Sequence, residues 1–119
     1  MEQQFKVLDD VLLVSLTGEL DLHTSKPMKD SIDNYLKENP KIKNILMDLE
    51  YVDFIDSTGL VVIIGRYRAI QERGGKLIFV KASPRVKRLL EISGVERIAS
   101  FVDSTNEALL KLGRDSSGR

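Results

Sequence analysis

Two strand-like segments, "KNILMDLE" (residues 43–50) and "KLIFVKA" (76–82), bracket "DFIDSTGLVVIIGRYRAIQERGG", and this middle stretch constrains the fold more than any other. Its apolar run "LVVII" has the local propensity of a buried strand, whereas "DST" before it has the form of a helix start. Longer-range signals favour helix. Gly74-Gly75 supplies a stop, "GRYRAIQER" is rich in helix formers, and parallel neighbouring strands need a crossover of about a dozen residues, normally helical. A helix over 57–73 is therefore predicted. At roughly 100° per residue, Leu60, Ile63, Ile64, Tyr67 and Ile70 gather within about 120° as a core-facing stripe. Val61 and Val62 fall outside it, on the arc of Thr58, Gly65 and Ala69. Those valines either form a contact patch or lie under another loop, and periodicity leaves both open.

The rest of the chain arranges itself around that crossover. "FKVLDDVLLVSLTGEL" reads as two strands turning at Asp9-Asp10. "HTSKPMKDSIDNYLKENP" reads as a helix with Met28, Ile32, Tyr35 and Leu36 on one face, Thr24 or Ser25 as cap and Asn39-Pro40 as its end. In "SPRVKRLLEISG", Ser83 caps, Pro84 takes the first helical position and Gly94 stops the helix. "RIASFV" is a last strand. "DSTNEALLKLG" carries a capping box, Ser104 with Glu107. The order ββαβαβαβα predicts an α/β fold: a mixed sheet with an initial antiparallel hairpin, then parallel strands, and about four helices. One domain over 1–113 is expected, with a disordered tail at 114–119.

Composition narrows the function classes. Eighteen acidic and eighteen basic residues give no general attraction to nucleic acid or an anionic membrane. The absence of cysteine excludes a disulfide framework, a thiolate metal site and a cysteine nucleophile. "MEQQFKVLDD" lacks the pattern of a signal peptide, and "LVVII" is far short of the ~20 apolar residues that span a bilayer. A cytoplasmic protein is expected, with no metal and no cofactor.

Ser57 is the residue whose chemistry needs an account. It is either a plain N-cap or a free hydroxyl, since Asp56 and Thr58 can also cap. A serine nucleophile needs a base, the one histidine is His23 in a predicted loop, and "GxSxG" is absent. A phospho-aspartate receiver domain is a rival, because "ILMDLEYVDF" has an aspartate late in a strand. The opening ββα order argues against it, since Asp9-Asp10 lie in a hairpin. A phosphorylatable binding module fits better. Asp48, Glu50, Asp53 and Asp56 surround the serine in sequence, and such a neighbourhood is sensitive to an added phosphate.

"TGELDLHTS", "FIDSTGLVVIIGRY", "GGKL" and "SPRVKRLLEISGVERI" resemble the STAS family of bacterial anti-sigma factor antagonists, the sporulation type above all, from the first hairpin through "LLKLG". The resemblance implies that Ser57 is phosphorylated by an anti-sigma factor that is also a serine kinase. The unphosphorylated form would bind that kinase and release a sigma factor, and a serine phosphatase would restore it. No catalytic activity of its own is implied. Asp21 matches the family's acidic residue beside the phosphorylation site. Asp21, Asp56, Ser57, Thr58, Gly59, Val61, Val62 and Gly65 are the expected partner contacts, with Val61 standing where many members have glycine. The alternative within the fold is a STAS module of a stress-signalling complex or a transporter.

Overall fold

The computed structural model describes residues 1–113; the tail expected to be disordered, 114–119, lies outside them. Strands β1 (Glu2–Leu8) and β2 (Val11–Leu20) form the antiparallel hairpin, and Asp9 adopts φ 54°, the left-handed conformation that tight hairpin turns demand. The chain continues through α1 (Ser25–Glu38), β3 (Asn44–Ile55), α2 (Ser57–Gln71), β4 (Leu77–Val80), α3 (Pro84–Ile92), a 3₁₀ turn (Val95–Arg97), β5 (Ala99–Val102) and α4 (Thr105–Lys111). The sheet order is β1-β2-β3-β4-β5, with β2 through β5 parallel. The expected ββαβαβαβα mixed sheet is therefore the observed one. A receiver-type sheet has the order 2-1-3-4-5 and is ruled out by this topology.

Alternation along the strands builds two cores. Leu12, Val14, Ile45, Met47, Leu77 and Phe79 face one side, where Met28, Ile32, Ile63, Ile70, Val86 and Leu90 of α1, α2 and α3 cover them. Leu46, Ile78, Val80 and Val102 face the other side, covered by Ala108 and Leu109 of α4. Strand β3 runs five residues past the expected end at Glu50. Two register shifts against β2, between Ser15 and Thr17 and between Gly18 and Glu19, break the period of two there. Glu50 and Tyr51 are consecutively exposed while Val52 and Ile55 are buried, so this part of the strand has no alternating signature.

Helix α2 is tied to α1 by two arginines. Arg73, just beyond α2, donates from Nη2 to the Leu36 carbonyl (2.8 Å) and from Nη1 to those of Ile42 (2.9 Å) and Asn39 (3.3 Å). It thereby takes up carbonyls that the end of α1 leaves without helical partners. Arg66 Nε lies 3.1 Å from Asp33 Oδ1, with its side chain only 12% exposed. Gly75 then passes so close to the chain before β3 that an added Cβ would collide with the Lys43 carbonyl.

Two glycine substitutions should move stability in opposite directions. Gly75→Ala must displace backbone and is expected to cost about 1–3 kcal/mol. Gly65 lies inside α2 with nothing within 4 Å of an added Cβ. Gly65→Ala should therefore stabilise by about 0.5–1 kcal/mol. Urea denaturation midpoints check both signs.

Candidate functional site

The site lies where β3 hands over to α2. Asp56 is in extended conformation (φ −95°, ψ −177°), and its Oδ1 accepts from the Gly59 N–H at 3.0 Å. Its own N–H donates to the Leu20 carbonyl at 3.0 Å, joining the end of β2 to the start of α2. Asp56 is thus the cap. Ser57, the first helical residue, is exposed, and its hydroxyl has no hydrogen-bond partner among the described residues. Thr58 is half-buried. Gly59 faces inward: an added Cβ would lie 2.8 Å from Leu20 Cγ, 2.9 Å from the Leu20 carbonyl oxygen and 3.0 Å from Ile55 Cγ2. Its contribution is to let the helix sit against β2 and β3, and it has no side chain to offer at the surface.

The Leu20–Asp56 bond also brings Asp21 to the same edge as Ser57. Asp21 Oδ1 accepts from the N–H groups of His23 (2.9 Å) and Thr24 (3.1 Å) and from the Thr24 hydroxyl (3.2 Å). Desolvation by itself would raise this carboxyl, but the hydrogen bonds from His23 and Thr24 together outweigh it and hold Asp21 below the usual carboxylate range. Thr24 occupies the N-cap position of α1 without capping it; its hydroxyl instead bridges the Glu19 carbonyl (2.7 Å) and the Asp21 N–H (2.8 Å). Ser25 is buried and donates to the Asp21 carbonyl at 2.6 Å. The β2–α1 loop is therefore organised around Asp21.

Beyond the first turn, the rotation of α2 differs from the expected one. Val61 is 68% exposed, but Val62 is half-buried and packs on the core, while Leu60, Ile64 and Tyr67 are only partly covered. The buried side is centred on Gly59, Ile63 and Ile70, with Arg66 reaching Asp33 beside it. An apolar count misses this because glycine and arginine carry no hydrophobic signal. Gly65 is half-buried with open space above it. Leu22, 68% exposed in the Asp21 loop, joins Val61 as an uncovered apolar residue at this edge. A lone leucine between polar residues gave no periodic signal by which to find it.

The acidic run does not converge on the serine. Asp48 lies on the opposite side of the sheet, in a groove of about 430 Å³ with Lys6, Leu13 and Ser15, and Glu50 pairs with Lys81 at 3.5 Å. Only Asp53, exposed, and Asp56, half-buried, remain close to Ser57 in the chain. The described hydrogen bond of His23 is made by its backbone N–H to Asp21. Among the described residues no cluster of metal-ligating side chains occurs, and no helix is long and apolar enough to cross a membrane.

A capped, hydroxyl-presenting helix start at the end of the third of five strands is the feature to set beside known proteins. The STAS domain model matches residues 2–108. The chain belongs to the STAS domain family. Among its relatives, the anti-sigma F factor antagonist of Paenibacillus polymyxa is 38% identical over 102 residues, covering 86% of each chain. A putative anti-sigma factor antagonist of Thermotoga maritima superposes with a TM-score of 0.85 at 26% identity, covering 94% of this chain and 95% of that one. The Bacillus cell fate determinant SpoIIAA, solved in its phosphorylated form, shares the fold with a TM-score of 0.73 at 24% identity, covering 95% of this STAS protein and 100% of that chain.

The capping assignment carries a stability prediction. Asp56→Ala should destabilise by about 0.5–2 kcal/mol. Ser57→Ala, removing an unpaired hydroxyl, should stay within about 0.5 kcal/mol of wild type. Denaturant titration of the two variants separates them. For Asp21, the lowered carboxyl in the folded state means that its contribution is complete above the unfolded-state value and is lost as pH falls through the lower, folded-state value. The stability gap between wild type and Asp21→Asn should accordingly narrow on acidification through that range, as read by thermal melts at stepped pH.

Proposed function

We propose that this STAS protein is a cytoplasmic anti-sigma factor antagonist switched by phosphorylation of Ser57. Unphosphorylated, it binds an anti-sigma factor that is also a serine kinase and so frees a sigma factor; phosphorylated, it lets go until a serine phosphatase removes the group. The observation that carries this reading is the exposed Ser57 hydroxyl, left without a partner because Asp56 does the capping. The anti-sigma antagonist relatives support the role, and SpoIIAA illustrates that the fold accepts a phosphate.

The contact surface consists of Ser57 with Leu22 and Val61 as apolar contacts, Gly65 allowing close approach further along α2, and Asp21 and Asp56 ordering the backbone on either side. Thr58 and Val62 contribute at the margin, and Gly59 acts from below by seating the helix. The antagonist itself does no chemistry. It offers a hydroxyl to the nucleotide held by its partner.

Electrostatics at the interface is sufficient for the switch. Phosphoserine carries about −1.5 to −2 charges. On the free protein, the helix N-terminus favours that charge by about 0.3–1 kcal/mol. The carboxylates of Asp53 and Asp56 oppose it by about 1 kcal/mol or less across water. These nearly cancel, so the fold persists. Against a partner surface fitted to a neutral hydroxyl, water is excluded and desolvating the added charge costs several kcal/mol. A loss of about 3 kcal/mol already weakens binding more than a hundredfold.

Incubation with the anti-sigma kinase and ATP should add one phosphate, mapped to Ser57, and Ser57→Ala should abolish it while still binding the kinase. Ser57→Asp should bind at least tenfold more weakly by calorimetry, through about 1.4 kcal/mol or more of charge burial. Val61→Lys should weaken binding with little change in melting temperature, whereas Val62→Lys should also lower stability because that side chain packs on the core. Phosphate found only on Thr58, Ser83 or Ser104 would rule out the assignment.

A further inference from the structure

The overhanging end of β3 has a cation on its other flank. The β3–β4 ladder ends at Asp48↔Val80, yet β3 continues to Ile55, paired with β2 on one side as far as Leu20↔Ile55. Helix α3 packs against β3, and its start reaches this overhang. Ser83 Oγ accepts from the Val86 N–H at 3.2 Å, Pro84 opens the helix, and Arg85 follows on its first turn. The Arg85 guanidinium carbon sits 5.8 Å from the Phe54 ring centroid. Arg85 is exposed and has no carboxylate or hydrogen-bond partner among the described residues, whereas Lys81 before it is paired with Glu50. Phe54 is two residues before the cap and three before Ser57.

We propose that Arg85 is the intramolecular receiver of the phosphate on Ser57, an inference that rests on reading Ser57 as the phosphoacceptor. An exposed guanidinium resting on a half-buried ring is weakly held, and its planar fork matches two phosphate oxygens at once. When Ser57 carries a dianion, Arg85 turns from the Phe54 face to pair with it. The phosphate is then bound across the end of β3 to the start of α3, on the antagonist's own surface. The other charged groups at this edge are Glu19 of β2, which lies opposite Phe54, Asp21 and His23 from the β2–α1 loop, Glu50 and Asp53 of β3, Asp56 at the cap, Lys81 ahead of α3 and Arg88 one turn further along it. Of the cations at the ends of β3 and β4, Lys81 is engaged with Glu50, which leaves Arg85 available.

The test needs no kinase. The full chain is made with phosphoserine incorporated at position 57 during translation, and the phosphate is titrated by phosphorus NMR in otherwise wild-type, Arg85→Gln and Arg85→Lys backgrounds. The carboxylates, His23 and the helix terminus are common to all three, so the comparison isolates Arg85. The midpoint of the second phosphate ionisation should lie about half a pH unit or more lower in the wild-type background than in Arg85→Gln, with Arg85→Lys between them. The difference should shrink at high salt. The Arg85 side-chain N–H resonance should shift with the same midpoint as the phosphate. Equal ionisation in the wild-type and Arg85→Gln backgrounds overturns the proposal. Failure of the phosphoacceptor reading would appear separately, as wild-type chain left unlabelled at Ser57 by kinase and ATP, and would leave the titration result as it stands.

Discussion

Gly59 rests on Leu20 and Ile55 so closely that a single methyl group would lie 2.8 Å from Leu20 Cγ, and the rest of the site depends on that seat. Close approach at this point lets the Asp56 N–H reach the Leu20 carbonyl and lets the Asp56 carboxylate turn back onto the Gly59 N–H. With the cap supplied by Asp56, the next residue is free of structural duty. The exposed hydroxyl of Ser57 is therefore a consequence of how tightly the helix start packs beneath it.

The far end of α2 is held by different means. Arg73 gathers three carbonyls from the end of α1 and the chain beyond it, and Gly75 passes under Lys43 where no side chain fits. Midway, Arg66 reaches Asp33. A helix fixed at both ends and in the middle holds its exposed residues, Val61 and Ser57 among them, as a rigid surface, so the proposed partner would meet them already ordered. Less conformational entropy is then lost on binding. The same rigidity suits the proposed switch, which would work through charge at an interface and need no movement of the sheet.

Much of this is legible in the sequence. The crossover requirement correctly made "LVVII" helical against its own β-propensity, and the glycine, proline and serine signals marked α3 and α4 as they occur, with Ser83 and Ser104 accepting the expected backbone hydrogen bonds. The hairpin at Asp9-Asp10 and the parallel order that follows were also readable. The second half of β3 was not, because its register shifts abolish the alternation on which a strand is recognised. The four carboxylates from Asp48 to Asp56 read as one cluster in the sequence, but three are spread along an extended, irregular strand, the fourth caps α2, and Asp48 ends up across the sheet from the serine.

Local sequence determined the order of elements, their type and the capping chemistry, since these depend on periods, propensities and hydrogen bonds spanning only a few residues. Which way α2 is rotated, which of its two valines is exposed and which cation lies beside the end of β3 were decided only in the tertiary structure. Those outcomes depend on a glycine fitting under Leu20, an arginine finding Asp33 and another resting on Phe54. Each is a contact between residues far apart in the chain, made by side chains whose polarity or absence gives no hydrophobic pattern to read.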